Sequence, residues 1–179
     1  MEVVDLPLNG LKLIKSRRFD DARGFFQQTY HRDQYVAAGI ETIFIQDNWS
    51  HSTKGVLRGL HYQHEHCQAK LVSVIRGEVF DVAVDMRKDS PTFGKWESVL
   101  LTGDNGHQLF VPKGFAQGFM VLSDTVDFSY KCDDLYTPGD EYGVIWNDPE
   151  IGINWPEGVT PIVSDKDLVL PSLANAKYF

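Results

Sequence analysis

The sequence predicts a mainly β protein folded as a sandwich or barrel. Its apolar segments are short, alternate with polar residues at a period of two, and end in Gly, Pro, Asn or Asp. That is the signature of half-buried strands rather than of helices. At 179 residues the chain suits one domain, residues 1–179, with a core large enough to stand without disulfides. Hydrophobic residues at 42% and charged residues at 23% match a globular chain and exclude a disordered or fibrous one.

From the N-terminus, strands are expected at Leu11–Lys15 and Gly24–Tyr30. One short helix follows at Asp33–Ala38, with Asp33 as its N-cap and Gly39 as its stop. Further strands are expected at Val56–Gln63, Lys70–Ile75, Glu78–Asp85, Trp96–Leu101, Gln108–Val111, Gln117–Leu122 and Val126–Cys132. So many short strands close most readily as two sheets or a barrel. No internal repeat or low-complexity tract interrupts them, and the Pro-bearing tail Trp155–Phe179 reads as an ordered wrap over the body.

Alternation also assigns faces. Along Glu78–Asp85, Phe80, Val82 and Val84 point one way, and Val79, Asp81, Ala83 and Asp85 the other. The second face is either a polar cavity or a solvated outer surface. In the last strand Val126, Phe128, Tyr130 and Cys132 share the apolar face, so Tyr130 is expected to point inward.

A formal net charge of −8 disfavours a general grip on nucleic acid, so basic residues that hold an anion must form a local pocket. Cys67 and Cys132 are the only cysteines and form no framework, which points to a reduced, cytoplasmic setting. Neither an export signal nor a membrane span is expected.

The densest polar stretch on an expected strand is Arg58-Gly59-Leu60-His61-Tyr62-Gln63, followed by Gln68-Ala69-Lys70-Leu71-Val72. Gly55 leading to His61 and Gln63, with Lys70 before Gly77, resembles the first cupin motif. Gly106 leading through Pro112-Lys113-Gly114 to Gln117 resembles the second. The positions where a metal-binding cupin places its ligands therefore read His61, Gln63, Lys70 and Gln117, and only His61 is a good transition-metal ligand. A lysine adds positive charge where a divalent ion needs negative charge, which demotes the metal reading.

Within the cupins the chain resembles the dTDP-4-dehydrorhamnose 3,5-epimerase family over nearly its whole length. The matching pieces, in order, include Asp21-Ala22-Arg23-Gly24-Phe25-Phe26, Gln46-Asp47-Asn48-Trp49-Ser50, the two stretches around His61 and Lys70, Asp81-Val82-Ala83-Val84-Asp85, Ser90-Pro91-Thr92-Phe93-Gly94, Phe115-Ala116-Gln117-Gly118-Phe119, Trp146-Asn147-Asp148-Pro149 and Ser164-Asp165-Lys166-Asp167. The resemblance implies a cupin-type double-stranded β-helix, or jelly-roll barrel, with short peripheral helices. It also implies a cofactor-independent isomerase that inverts C3 and C5 of a nucleotide-linked 4-keto-6-deoxy sugar, converting dTDP-4-dehydro-6-deoxyglucose to dTDP-4-dehydrorhamnose.

By that resemblance His61 is the base that removes a proton beside the ketone, and Asp167 orients it. Lys70 stabilises the enolate oxygen, and Tyr130 donates a proton from the opposite face. Arg23, Arg58 and Lys166 match positions that bind the diphosphate, and Gln46, Asp47 and Asn48 match a polar contact segment. Tyr136 matches an aromatic that stacks on the base, and Glu141 matches another binding position. Taken singly, each of these residues reads as an ordinary structural or surface group; their joint order carries the functional reading.

Two departures stand out. Gln117 occupies a position near the sugar where the family usually has His, and Gln28 one where it usually has Glu. Enzymes that invert only C3 or only C5 of a related dTDP- or CDP-linked sugar therefore remain open. So do a metal-dependent cupin using His61 with His64 or His66, and a sugar-binding cupin without turnover. The expected partners are a nucleotide sugar and a second copy of the chain, a homodimer formed by N-terminal strands pairing across the interface, with neither nucleic acid nor membrane.

Overall fold

A computed structural model describes the whole chain, Met1–Phe179. In order, the elements are β1 (Glu2–Asp5), β2 (Lys12–Lys15), β3 (Arg18–Asp21), β4 (Gly24–Gln27), α1 (Arg32–Ala37), β5 (Gln46–Thr53), β6 (Val56–Gln63), β7 (Lys70–Arg76), β8 (Glu78–Asp85), β9 (Trp96–Thr102), β10 (His107–Val111), β11 (Phe115–Val121), β12 (Thr125–Cys132), β13 (Glu141–Gly143), β14 (Ile162–Val163) and α2 (Asp165–Leu168). One sheet runs β1-β2-β10-β7-β12-β5 and the other β13-β6-β11-β8-β9; β14 adds to β6, and β3 with β4 forms a separate hairpin. No helix is long and apolar enough to cross a membrane.

The two sheets face each other because their inward positions are apolar. Val72 and Val74 of β7, Leu109 and Val111 of β10, and Val126 and Phe128 of β12 meet Val79 and Ala83 of β8 and Phe115, Phe119 and Val121 of β11. Phe119 and Phe128 stack across the gap with ring centroids 4.2 Å apart. The inward face of β8 therefore lies inside the barrel, which resolves the alternative left by alternation: Asp81 is buried between the sheets. The opposite face of β8 is buried too. The C-terminal tail covers it, with Val82 and Val84 packing against Ile151, Leu173 and Ala176. The tail is thus the ordered wrap its composition suggested.

Several boundaries differ from expectation. The Gly24 strand stops at Gln27, short of Tyr30. Strand β5 lacks apolar periodicity, yet it pairs with β12 along its whole length, from Gln46↔Cys132 to Thr53↔Thr125. Its alternation is present but polar, because Gln46, Asn48, Ser50 and Ser52 are the less exposed set. Helix α1 is capped by His31 without a side-chain bond, so Asp33 is not the cap and sits in the first turn, where its charge complements the helix dipole. Gly39 does end the helix: its φ is +79° and its N–H donates to the Val36 carbonyl at 2.9 Å.

Strands β6 and β11 approach unusually closely. A Cβ on Gly59 would lie 2.5 Å from Gly118 Cα, and Gly59 has φ +127°. The β6–β11 register shifts at this point, between the Gln117↔His61 and Phe119↔Arg58 pairs. Strict alternation would put Arg58 and His61 on opposite faces. The irregularity turns both toward the same cavity. Gly59→Ala is expected to cost about 2 kcal/mol or more through backbone collision and strain, read as a lower urea midpoint at unchanged slope.

At the end of β8, Asp85 has a fully buried side chain. Burial alone would raise its pKa, but two bonds from Arg87 at 2.8 Å, with Ser90 at 2.6 Å and Thr92 at 2.7 Å, hold it down to about 2. A folded value below the unfolded one contributes stability above the unfolded pKa and loses it as pH falls. Urea unfolding should therefore show about 2 kcal/mol lost between roughly pH 4 and pH 2. Asp85→Asn should lack that part of the slope; an unchanged slope would refute the assignment.

Candidate active site

The wrapped tail delivers the key carboxylate. After β14 pairs in parallel with β6, Ile162↔Val56 and Val163↔Leu57, Ser164 caps the one-turn helix α2, its side chain accepting from the Asp167 N–H. This places Asp167 over the irregular segment of β6. Its Oδ1 lies 2.6 Å from His61 Nε2, and its Oδ2 accepts from the Gly59 N–H at 3.3 Å. Burial favours protonation of Asp167, but His61 and the Gly59 and Ser164 donors outweigh it and lower the pKa. The Asp167 side chain is 4% exposed and that of His61 29%. The carboxylate therefore holds one ring nitrogen from the wall. Nδ1, which makes no bond within the chain, is left for the cavity.

That cavity has a volume of about 630 Å³ and opens between β5, β6, β7, β12 and the tail. Of the residues singled out from sequence, His61, Lys70, Tyr130, Asp167, Asn48, Arg58, Gln117, Glu141 and Lys166 all line it. Lys70 opens β7, and its neighbour β12 carries Tyr130, with the Lys70 ammonium 5.9 Å from the Tyr130 ring centroid. Neither Lys70 Nζ nor the Tyr130 hydroxyl has a hydrogen-bonding partner in the chain. Burial pushes the Lys70 pKa down, opposed by nearby negative groups that include Asp81. Burial likewise raises the Tyr130 phenol above its usual value, keeping it protonated near neutral pH.

On the floor, Gln117 sits directly across from His61 in register and donates from Nε2 to Asp81 Oδ2 at 2.8 Å. At the rim, Lys166 Nζ donates to Glu141 Oε2 at 2.6 Å, and the Tyr136 hydroxyl donates to the same oxygen at 3.2 Å. Gln46 accepts from the Tyr136 N–H at 2.9 Å and donates to Asn48 Oδ1 at 3.0 Å. Tyr136 and Gln46 thus stand beside the cavity, joined to residues that line it. Arg58, Lys70 and Lys166 make this the local basic pocket that an acidic chain needs to hold an anion.

Three expected binding residues lie elsewhere in the single chain. Arg23 projects from the β3–β4 hairpin with its side chain 89% exposed and paired to Asp21. Gln28 lines a separate hollow of about 210 Å³ with Arg17 and Tyr35. Asp47 faces outward and binds Lys131 at 2.9 Å. Gln63, at a cupin ligand position, is spent on structure: it donates to the carbonyls of His66 and Leu135 and accepts from the Thr137 N–H. His64 is held by the Tyr178 carbonyl and stacked on Phe179. No three His, Cys, Asp or Glu side chains cluster as a metal site requires. Sequence reasoning noticed Asp81 but gave it no role, since alternation alone could not say which surface it faced.

Comparison with known proteins identifies a family. The family model described as dTDP-4-dehydrorhamnose 3,5-epimerase matches residues 5–175. The enzyme of that name from Shigella flexneri is 47% identical, over 100% of this chain and 99% of its own length. One from Neisseria gonorrhoeae is 52% identical over 99% of this chain, which spans only 54% of that relative. Among solved structures, dTDP-6-deoxy-D-glucose-3,5-epimerase from Legionella pneumophila, in complex with dTDP-4-keto-L-rhamnose, has a TM-score of 0.95 at 47% identity. That match covers 97% of this chain and 93% of that one. A 3'-monoepimerase from Streptomyces bikiniensis, in complex with dTDP-quinovose, has a TM-score of 0.90 at 33% identity, covering 94% and 86%. The chain belongs to the dTDP-4-dehydrorhamnose 3,5-epimerase family.

Proposed function

We propose that this protein epimerises a dTDP-linked 4-keto-6-deoxy sugar at C3 and C5, with His61 as base and Tyr130 as acid. The observation that carries the reading is the convergence of an oriented imidazole, an unpartnered ammonium and an unpartnered phenol on one cavity. A ketone acidifies the hydrogens on its neighbouring carbons. His61 Nδ1 takes one of these protons, and the C–H electron pair delocalises onto the ketone oxygen. Lys70 compensates the charge that develops there. Tyr130 then gives its proton to the same carbon from the other face, and the enolate pair re-forms the carbon–hydrogen bond with inverted configuration. Asp167 holds the imidazole and stabilises its protonated form. Arg58 and Lys166 suit the diphosphate, and Tyr136 the base. The steps call on no metal or cofactor.

A narrower enzyme, inverting only C3, is the second reading. It is favoured by Gln117 in place of the usual family histidine and by the likeness to a 3'-monoepimerase. Heavy water separates the two: deuterium at both C3 and C5 of dTDP-4-keto-6-deoxyglucose is expected for double epimerisation, and label at one carbon would establish the narrower enzyme. His61→Ala should slow exchange by roughly 100-fold to 10,000-fold. Tyr130→Phe should keep exchange on the His61 face while losing inversion; label lost in parallel with inversion would count against Tyr130 as the acid.

The reading extends to a homodimer. The β3–β4 hairpin joins neither sheet and exposes Phe25 and Phe26, while β5 leaves an open sheet edge. A second chain pairing there would bring Arg23 to the partner's cavity. Arg23→Ala and His61→Ala subunits, each nearly inactive, should regain activity when refolded together, because one site of each mixed dimer is whole. A monomer in sedimentation, or no recovery on mixing, would overturn this. Free Cys67 and Cys132 support a cytoplasmic location.

A further inference from the structure

The Gln117–Asp81 pair has a polarity. Asp81 is fully buried on β8, opposite Phe119 of β11 and hence diagonal to Gln117. Its Oδ2 takes the Gln117 N–H at 2.8 Å, and its Oδ1 is the one buried side-chain polar atom in the chain without a partner. Gln117 Oε1 makes no bond within the chain, although the side chain lines the cavity directly across from His61. With Oδ2 as the acceptor it is here, turning the carboxamide round would set its oxygen against that oxygen, two acceptors face to face. Burial pushes the Asp81 pKa well above the usual carboxylate range, and the Gln117 N–H and the positive charge of Lys70 oppose that rise.

We propose that Asp81 is a positioning residue that locks the Gln117 carboxamide with its oxygen toward the cavity, where it accepts a hydrogen bond from a sugar hydroxyl beside the reacting carbons. This deepens the epimerase reading and rests on it. The consequence is selectivity: the floor opposite the base presents a neutral acceptor that cannot shuttle protons and that rewards a hydroxyl donor on the sugar. A sugar lacking that hydroxyl leaves the acceptor unpaired in a desolvated site.

The test is a double-mutant cycle between protein and substrate, read as deuterium entry at C3 and at C5. The substrates are dTDP-4-keto-6-deoxyglucose and its 2-deoxy and 3-deoxy analogues. In Asp81→Asn the new amide can donate to Gln117 Oε1 and turn the carboxamide nitrogen toward the sugar. KM for the full substrate should rise about tenfold with kcat changed far less, and the variant should show no further loss on one of the two deoxy analogues. Gln117→Met, which removes the amide at similar volume, should behave likewise. Equal losses on all three substrates in both variants would mark the pair as merely structural and overturn the inference. Absence of exchange in the unaltered protein would instead overturn the epimerase reading, and this inference with it.

Discussion

The contact between His61 and Asp167 is the constraint on which the site depends, because its partners lie 106 residues apart and meet only when the tail closes on β6. A carboxylate this buried is tolerable only if its charge is answered by donors. Asp167 has them in the imidazole, the Gly59 N–H and its own capped helix turn. Features that would otherwise look incidental bring the carboxylate and these groups together: a glycine at a close strand approach, a two-residue parallel strand, and a helix of a single turn. The contact is therefore a folding interaction that ties the tail to the barrel.

The cavity exists because the barrel is packed unevenly. Where β7, β10 and β12 meet β8 and β11, large apolar side chains fill the space, down to the Phe119–Phe128 stack. Beyond that stack the inward positions of β5 are Gln46, Asn48, Ser50 and Ser52, too small and polar to close the gap. The open end is thus lined on one side by hydrogen-bonding groups and on another by the rings of Phe119, Phe128 and Tyr130, which suits a ligand with polar edges and an apolar ring face.

Much of this was legible in the sequence, and the failures have physical causes. Strands whose inward residues are apolar, such as β8 and β12, announce themselves by alternation, and Tyr130 follows from its place beside Phe128. Strand β5 is silent because its inward face is polar, and the very property that hides it makes the cavity. Alternation showed that Asp81 and Ala83 share a face but not which sheet covers it, since that is decided by a tertiary contact. For Arg58 and His61 strict alternation misleads, because the register shift at Gly59 breaks it. Asp167 has no local signal at all. Its role came from resemblance, and its position depends on a strap that periodicity cannot foresee. Arg23 and Gln28 mark a different limit, since a single chain does not bring them to the cavity.

Lys70 occupies the position at which a metal-binding cupin carries a ligand. In a metal-binding cupin this position supplies negative charge to a cation; here it supplies a cation, and the neighbouring wall supplies the answering acid in Asp81. Burial opposes charge on both groups, and their attraction for one another offsets part of that cost. An ammonium placed this way faces the cavity and is suited, under the proposed reading, to answer negative charge that forms on a ligand without reorganisation. The same burial raises the Tyr130 phenol and keeps its proton in place. One physical cause, exclusion of water from the inner end of the cavity, thus holds an acid protonated, strengthens the field of a cation and leaves a neutral amide as the remaining polar wall opposite the base.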